Sequence, residues 1–294
     1  MQGCTPPPVD GFFLCNRWHL LTSLTLTNLR CPRNVGSDAL AAFLSAHVNL
    51  EVLNLDISRA MGGESRLALP HNSLPCLREL RSNHEIINAV LECRCDFPRP
   101  LATIKGVRLY GSLLGDSACG QDHTFLANLK RHGKALKRIE MTGWNEMDDI
   151  RKLVDCVPGL TWLDVGERNS SLHASLVKDK FIPVFNTVEW AILLSALPEL
   201  VTFHGVRFFH TIFDTSYVHK TNEISASDRS RIRKNDEIAS VLAWKCPKLR
   251  RVDHWDDAGR VIILVRDSST GSSGNKIGVA NREKVRWEVR RVKV

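Results

Sequence analysis

At 294 residues, with 43% hydrophobic and 24% charged side chains, the chain can bury one large core or two small ones. Its longest apolar runs, such as Ala191-Ile192-Leu193-Leu194 and Val261-Ile262-Ile263-Leu264-Val265, fall far short of the roughly 20 residues a bilayer span needs, so no membrane segment is expected. A formal net charge of +8 leaves contact with nucleic acid or an acidic protein open. Residues Met1 to Asp10 contain Pro6-Pro7-Pro8 and no basic n-region, which argues against a secretory signal. Nine cysteines, an odd number, then point to reduced thiols in an intracellular protein, cytoplasmic or nuclear. Cys93-x-Cys95, with His71 and His84 upstream, lacks a second pair at finger spacing, so neither a metal nor a cofactor is expected.

In chain order, residues 1–17 read as an N-terminal extension in which Phe12, Phe13 and Leu14, with Trp18 following, cover the start of what comes next. A short phrase then recurs: a small or proline-containing turn, then Leu-x-x-Leu, Ile or Val, often with another apolar residue two places on. It opens as Leu21 to Leu24 and Leu26, followed by a helix for which Ser37 or Asp38 supplies the cap and Leu40, Phe43, Leu44 and His47 the buried stripe. Leu50, Leu53 and Leu55 form the second copy, and Leu77 and Leu80 the third. Ile86, Ile87, Val90 and Leu91 make the next helical stripe, before the copy Leu101 and Ile104. A helix over Phe125, Leu126 and Leu129 leads to Leu136, Ile139 and Met141. Asp148-Asp149, acids favoured at a helix N-terminus, precede Ile150, Leu153 and Val154 and then Leu160, Leu163 and Val165.

Thr187 is expected to cap a helix running through Leu197, apolar on nearly every side and so deeply buried, before Leu200 and Phe203. The stretch near 207–234 belongs to no copy: Phe208, Phe209, Ile212 and Phe213 should pack locally, and Ser225 to Lys234 reads as a flexible loop. Asn235-Asp236 would cap the last helix, with Ile238, Val241 and Leu242 inward, before Leu249 and Val252. Residues 259–266 read as a strand, 267–275 as a Ser/Gly-rich loop, and Val285, Trp287 and Val289 alternate with Arg286, Glu288 and Arg290 in a second strand pairing antiparallel with the first.

Five prolines, Pro75, Pro100, Pro158, Pro198 and Pro247, stand one or two places before an anchor, and the anchors are spaced by 24 to 49 residues. Such units cannot bury their apolar faces alone but can when stacked, which predicts an α/β solenoid: a curved parallel sheet with outer helices, about eight irregular repeats over 18–265, and a capping strand within 266–294.

Alternation along the strand phrase leaves one row of side chains on the concave surface: Glu79 and Arg81, Thr103 and Lys105, Arg138 and Glu140, Trp162 and Asp164, Thr202 and His204, Arg251 and Asp253, extended by Trp255. Trp and Arg dominate protein interfaces, so Trp162, His204, Arg251 and Trp255 are the expected centre of a protein-binding patch, with Arg138, Glu140, Asp164 and Asp253 beside them. Ordinary exposed residues would fit the same pattern. No catalytic set is expected, because the chain has neither a phosphate-binding lysine loop nor a Gly-x-Ser-x-Gly elbow. Asp253-His254-Trp255-Asp256-Asp257 brings acid and imidazole together, but acids in a turn are commonplace.

With these residues in view, the chain resembles the cysteine-containing leucine-rich-repeat proteins associated with F-box segments, of the kind abundant in mushroom-forming fungi. Leu24-x-Leu26-x-x-Leu29-x-Cys31, Gly36-Ser37-Asp38-x-Leu40-x-x-Phe43-Leu44 and Cys246-Pro247-Lys248-Leu249 carry the likeness, with Cys156-Val157-Pro158-Gly159-Leu160 a looser copy. The resemblance spans roughly residues 18–265. It implies a scaffold binding a protein partner, such as the substrate-recognition part of a ubiquitin ligase. The repeats begin by about Trp18, leaving no room before them for the F-box that would dock the ligase adaptor. Two other readings stay open: a nucleic-acid or acidic-surface binder using Arg286, Arg290, Arg291 and Lys293, and a truncated copy without a function of its own.

Overall fold

A computed structural model describes residues 12–13, 15–31, 37–59, 67–111, 116–168, 186–210, 212, 225–253, 260–267 and 284–291. The fold is α/β, with six helices and eleven mostly parallel strands among these residues. In chain order they begin with β1 (Ser23–Cys31), α1 (Ser37–Ala46), β2 (Val52–Arg59), β3 (Glu79–Arg81), α2 (His84–Glu92) and β4 (Thr103–Arg108). Next come α3 (Asp116–His132), β5 (Arg138–Trp144), α4 (Met147–Cys156), β6 (Trp162–Asp164) and β7 (Glu167–Arg168). The chain continues with α5 (Thr187–Leu194), β8 (Thr202–His204), α6 (Ala226–Lys245), β9 (Arg251–Asp253), β10 (Arg260–Asp267) and β11 (Lys284–Arg291). It divides into two compact units, one of Met1–Leu160 with Val165–Asn169, the other of Thr161–Asp164 with Ser170–Val294.

In the first unit β1 to β5 pair in sequence order, all parallel, and β7 pairs β5. The register places Leu24, Leu53, Leu80, Ile104 and Ile139 side by side, all at most 7% exposed. In the second unit β6, β8 and β9 are parallel, β10 runs antiparallel to β9, and β11 antiparallel to β10. There the buried ladder is Leu163, Phe203 and Val252.

The recurring phrase has a recurring hydrogen-bond pattern. The N–H of each anchor donates to the carbonyl three residues back at Leu21, Leu50, Leu77, Leu136, Leu160, Leu200 and Leu249, over 3.0–3.3 Å. In four of these turns (74–77, 157–160, 197–200 and 246–249) the proline occupies the second position, where its fixed φ is already that of a β-turn. The next two N–H groups then share one carbonyl of the preceding strand. Glu51 and Val52 donate to Thr22, Arg78 and Glu79 to Glu51, Ala102 and Thr103 to Arg78, and Lys137 and Arg138 to Ala102. Val201 and Thr202 donate to Thr161, and Arg250 and Arg251 to Val201, in the same way. Backbone polar groups at the start of β2, β3, β4, β5, β8 and β9 are thereby satisfied in one uniform manner.

The helices bury the expected stripes. Leu40, Phe43 and Leu44 of α1 are at most 2% exposed, and Phe13 packs on Phe43 with ring centroids 5.2 Å apart. His47, 1% exposed, accepts the Trp18 N–H at Nε2 (3.1 Å), so its Nδ1 donates to the Phe43 carbonyl at 2.7 Å. Leu14 lies outside the described residues. Asn83 caps α2 by accepting the Ile86 N–H at 3.1 Å. Asn83→Ala should therefore lower stability by about 1 kcal/mol, read as a shifted urea midpoint at unchanged slope.

Two expectations need correction. Helix α5 is capped by Asn186, not Thr187, and ends at Leu194. It is not buried all round: Trp190, Ala191, Leu193 and Leu194 face the core, while Val188 and Ile192 are 54% and 57% exposed. Composition alone cannot tell a covered face from an uncovered one when both are apolar. The second correction concerns Ser225 to Lys234, which is no loop. Helix α6 runs unbroken from Ala226 to Lys245, with Ser225 accepting the Asp228 N–H. Arg and Lys are good helix formers, and the charged run is simply the first half of the helix. Asn235 is not its cap but lies fully buried within it, exchanging hydrogen bonds of 2.8 and 3.0 Å with the backbone of His210.

Candidate functional site

Side chains that alternate with the buried ladders occupy the opposite face of each sheet, and the register tests the expected rows directly. In the first unit Glu79, Thr103 and Arg138 stand side by side, as do Arg81, Lys105 and Glu140. The charges here satisfy one another. Lys105 Nζ lies 2.6 Å from Glu79 Oε1 and 3.8 Å from Glu140 Oε1, and Arg138 Nη2 lies 2.5 Å from Glu140 Oε1. Arg138 and Glu140, two of the expected contact residues, are thus occupied within their own sheet. Being part-exposed, each such pair adds little to stability.

In the second unit Trp162, Thr202 and Arg251 form one row, and Asp164, His204 and Asp253 the next. His204 Nδ1 lies 3.0 Å from Asp164 Oδ2. Trp162, Asp164 and His204 are half-buried and Arg251 is exposed. Trp255 and His254 lie outside the described residues.

The row continues where sequence reasoning placed no site residue. Ile263 of β10 lies opposite Arg251 on one side and Glu288 of β11 on the other. Residues directly opposite in an antiparallel pair share a face, so Val261, Ile263 and Val265 lie on the same face as Arg251, between it and Arg290, Glu288 and Arg286. Leu264, 1% exposed, points to the core side, where Arg266 Nη2 donates to the Ala243 and Cys246 carbonyls at the end of α6. The face therefore carries an aromatic and an arginine, a β-branched strip in which Ile263 and Val265 are half-buried and Val261 is buried, and a charged margin. Alternation within the 260–267 strand was the available signal.

Several polar groups elsewhere are engaged. A shallow depression of about 390 Å³ is lined by Leu67, His71, Glu92, Cys93 and Arg94. Cys93 Sγ donates to the Pro70 carbonyl at 3.1 Å, and Glu92 accepts from Asn128 at 3.2 Å. Arg99 donates to Cys95 Sγ at 3.0 Å, and burial pushes that thiol upward. Burial pushes Cys246 up to about 11. Among the described residues no group of three or more His, Cys, Asp or Glu is gathered for a metal ion, and no helix is long and apolar enough to cross a membrane.

Fold and site together define an α/β protein with a mostly parallel sheet whose one face is packed and whose other face is polar and mixed. No protein-family model, curated protein or solved structure matches the chain.

Proposed function

We propose that this chain is a non-enzymatic protein-interaction scaffold, built as an irregular leucine-rich-repeat solenoid of the F-box-associated type, which docks a protein partner on the unpacked face of β6, β8, β9 and β10. The observation that carries the reading is the register of Trp162, Thr202, Arg251 and Ile263 in one row. A tryptophan and an arginine beside apolar β-branched side chains match the composition of interface centres. The uniform turn and shared-carbonyl pattern at successive anchors supports the repeat part of the reading. Trp287 is held by Asp236 at 2.9 Å and packs on Phe209 at 5.9 Å, so the basic strand offers no free aromatic platform for bases, and the nucleic-acid reading is disfavoured. Acting as the substrate-recognition part of a ubiquitin ligase would require an adaptor-docking segment in addition, and direct adaptor binding is the assay for it.

The test is the double variant Trp162→Ala, Arg251→Ala. Capture of the partner should fall by about tenfold or more, with the melting transition and circular dichroism retained. An unchanged profile of captured proteins, measured against wild type by quantitative mass spectrometry, rejects this face.

A further inference from the structure

We infer that the outer edge of β11 is a second docking site, one that takes an extended acidic segment of another protein as an added strand. The inference goes beyond the face reading, because it uses main-chain groups on a different surface.

The orientation of those groups follows from the register. Leu264 N–H donates to the Arg250 carbonyl at 2.8 Å, so the main-chain groups of Leu264, and by alternation Ile262, point to β9. Those of Val261, Ile263 and Val265 therefore point to β11, where they meet Arg290, Glu288 and Arg286. That leaves the N–H and C=O groups of Val285, Trp287 and Val289 turned outward, away from β10. Among the described residues no strand pairs with that side.

Exposed edges usually carry a device that prevents pairing: a short strand, a bulge or a proline. β11 has none of these. It is eight residues long, contains no proline, and keeps register with β10 through eight consecutive pairs. Its one restraint is charge. Four of its eight residues are basic, Lys284, Arg286, Arg290 and Arg291, against the single acid Glu288. Arg286 and Arg290 are exposed and both approach Glu288, at 3.8 and 3.0 Å. Such an edge repels a second copy of itself, since antiparallel self-pairing centred on Glu288 would set Arg286 opposite Arg290, and like charges placed opposite are destabilising. An acidic strand meets the complement, with main-chain bonds for affinity and arginines for selectivity. Val289, 51% exposed at the same edge, offers an apolar contact.

The probe is a synthetic peptide of about ten residues alternating Glu with Val and Thr, with a Lys-for-Glu version as control, titrated into the full chain by fluorescence anisotropy. Saturable binding of the acidic peptide alone is expected, weakening several-fold between roughly 50 and roughly 300 mM salt. Val289→Pro removes one outward N–H while sparing the β10 ladder, and should weaken binding about tenfold or more, whereas Val289→Thr should not. Arg286→Ser with Arg290→Ser should weaken it independently, which keeps the test informative should the proline variant fold poorly. Hydrogen exchange should slow at Val285, Trp287 and Val289 on binding. Trp162→Ala with Arg251→Ala should leave the peptide unaffected, so the fate of the face and that of the edge are read separately.

Absence of saturable binding would reduce the arginines to charges that merely keep like edges apart, and overturns the proposal. So does peptide affinity unchanged by Val289→Pro. A dimer seen by sedimentation and abolished by that variant would put a second copy on the edge and overturns the choice of partner.

Discussion

Replacing Phe203 by alanine is expected to remove about 3–5 kcal/mol of stability, the range for truncating a fully buried phenylalanine. Phe203 is 0% exposed and lies in the ladder between Leu163 and Val252. Its ring packs on Trp190 and Phe208, with centroids 5.4 and 5.8 Å apart, and Trp190 in turn meets Phe208 at 6.3 Å. Removing the central ring deprives two others of an aromatic neighbour, and a backbone fixed by hydrogen bonds on both sides of β8 cannot collapse to refill the space. The melting temperature should fall by on the order of 10 °C. Trp190 emission should shift to the red as its surroundings loosen. Val201→Ala, two residues away and 39% exposed, is the control and should cost no more than about 0.5 kcal/mol. A loss below about 1 kcal/mol for Phe203→Ala would mean that this cluster does not hold the second unit together.

Phe203 could be picked out before any coordinates because it fills the fourth place of the phrase begun at Leu200. The same logic placed Leu53, Leu80, Ile104, Ile139, Leu163 and Val252, all at most 2% exposed. A strand with period two has only two faces, so once one apolar position is assigned the others in the phrase follow. Anchors were legible for a second reason: a proline before a leucine marks a turn whose geometry the ring itself favours. Leu101 shows the limit of that reasoning, since Pro100 directly precedes it and Leu101 is the one anchor for which the three-back bond is not among those formed.

Less legible was whatever depends on which neighbour arrives. The face of α5 bearing Val188 and Ile192 and the face bearing Trp190 and Leu194 are equally apolar, so exposure is decided by packing, that of Trp190 on Phe203 and Phe208, and not by composition. The row of candidate contact residues was readable one strand at a time, but its pairing was not. Nothing in the chain says that Lys105 would reach Glu79 while Arg138 takes Glu140, or that Ile263 would come beside Arg251. Arg138 and Glu140 are two apart on one strand, but the other pairings are facts of register across tens of residues. They turn a list of exposed polar side chains into a self-neutralised stretch in one unit and a mixed aromatic, basic and apolar face in the other.

His84 is the clearest case of a group whose role no local pattern announced, and it carries the other large prediction. It stands at the start of α2, 7% exposed, against the Phe125 ring at 5.1 Å and the Tyr110 ring at 5.9 Å. Its Nε2 lies 3.9 Å from Asp122 Oδ1, beyond hydrogen-bond reach, and neither atom has another partner among the described residues. The other oxygen of Asp122 is held by the N–H groups of Tyr110 and Gly111, at 2.7 and 2.9 Å, which keeps the carboxylate from turning. Burial lowers His84 from 6.5 to about 4.

A histidine whose pKa is lower folded than unfolded favours unfolding as acid is added. Its effect is absent well above pH 6.5, grows as pH falls through that value, and is complete below about 4. The difference corresponds to on the order of 3 kcal/mol. Asp122 and Asp149 work in the opposite direction, since burial raises both and protonating them in the fold becomes favourable as pH falls. The His84 contribution must therefore be isolated as a difference between proteins. Between pH 7 and pH 4, wild type should lose about 3 kcal/mol more than His84→Gln, which cannot titrate. Urea unfolding at each pH measures it, and the histidine ring resonances should titrate near 4 in the folded protein. A difference under about 1 kcal/mol would mean that Asp122 closes the 3.9 Å gap and pairs with the imidazolium, making this pair a buried ion pair in acid and not a source of acid lability.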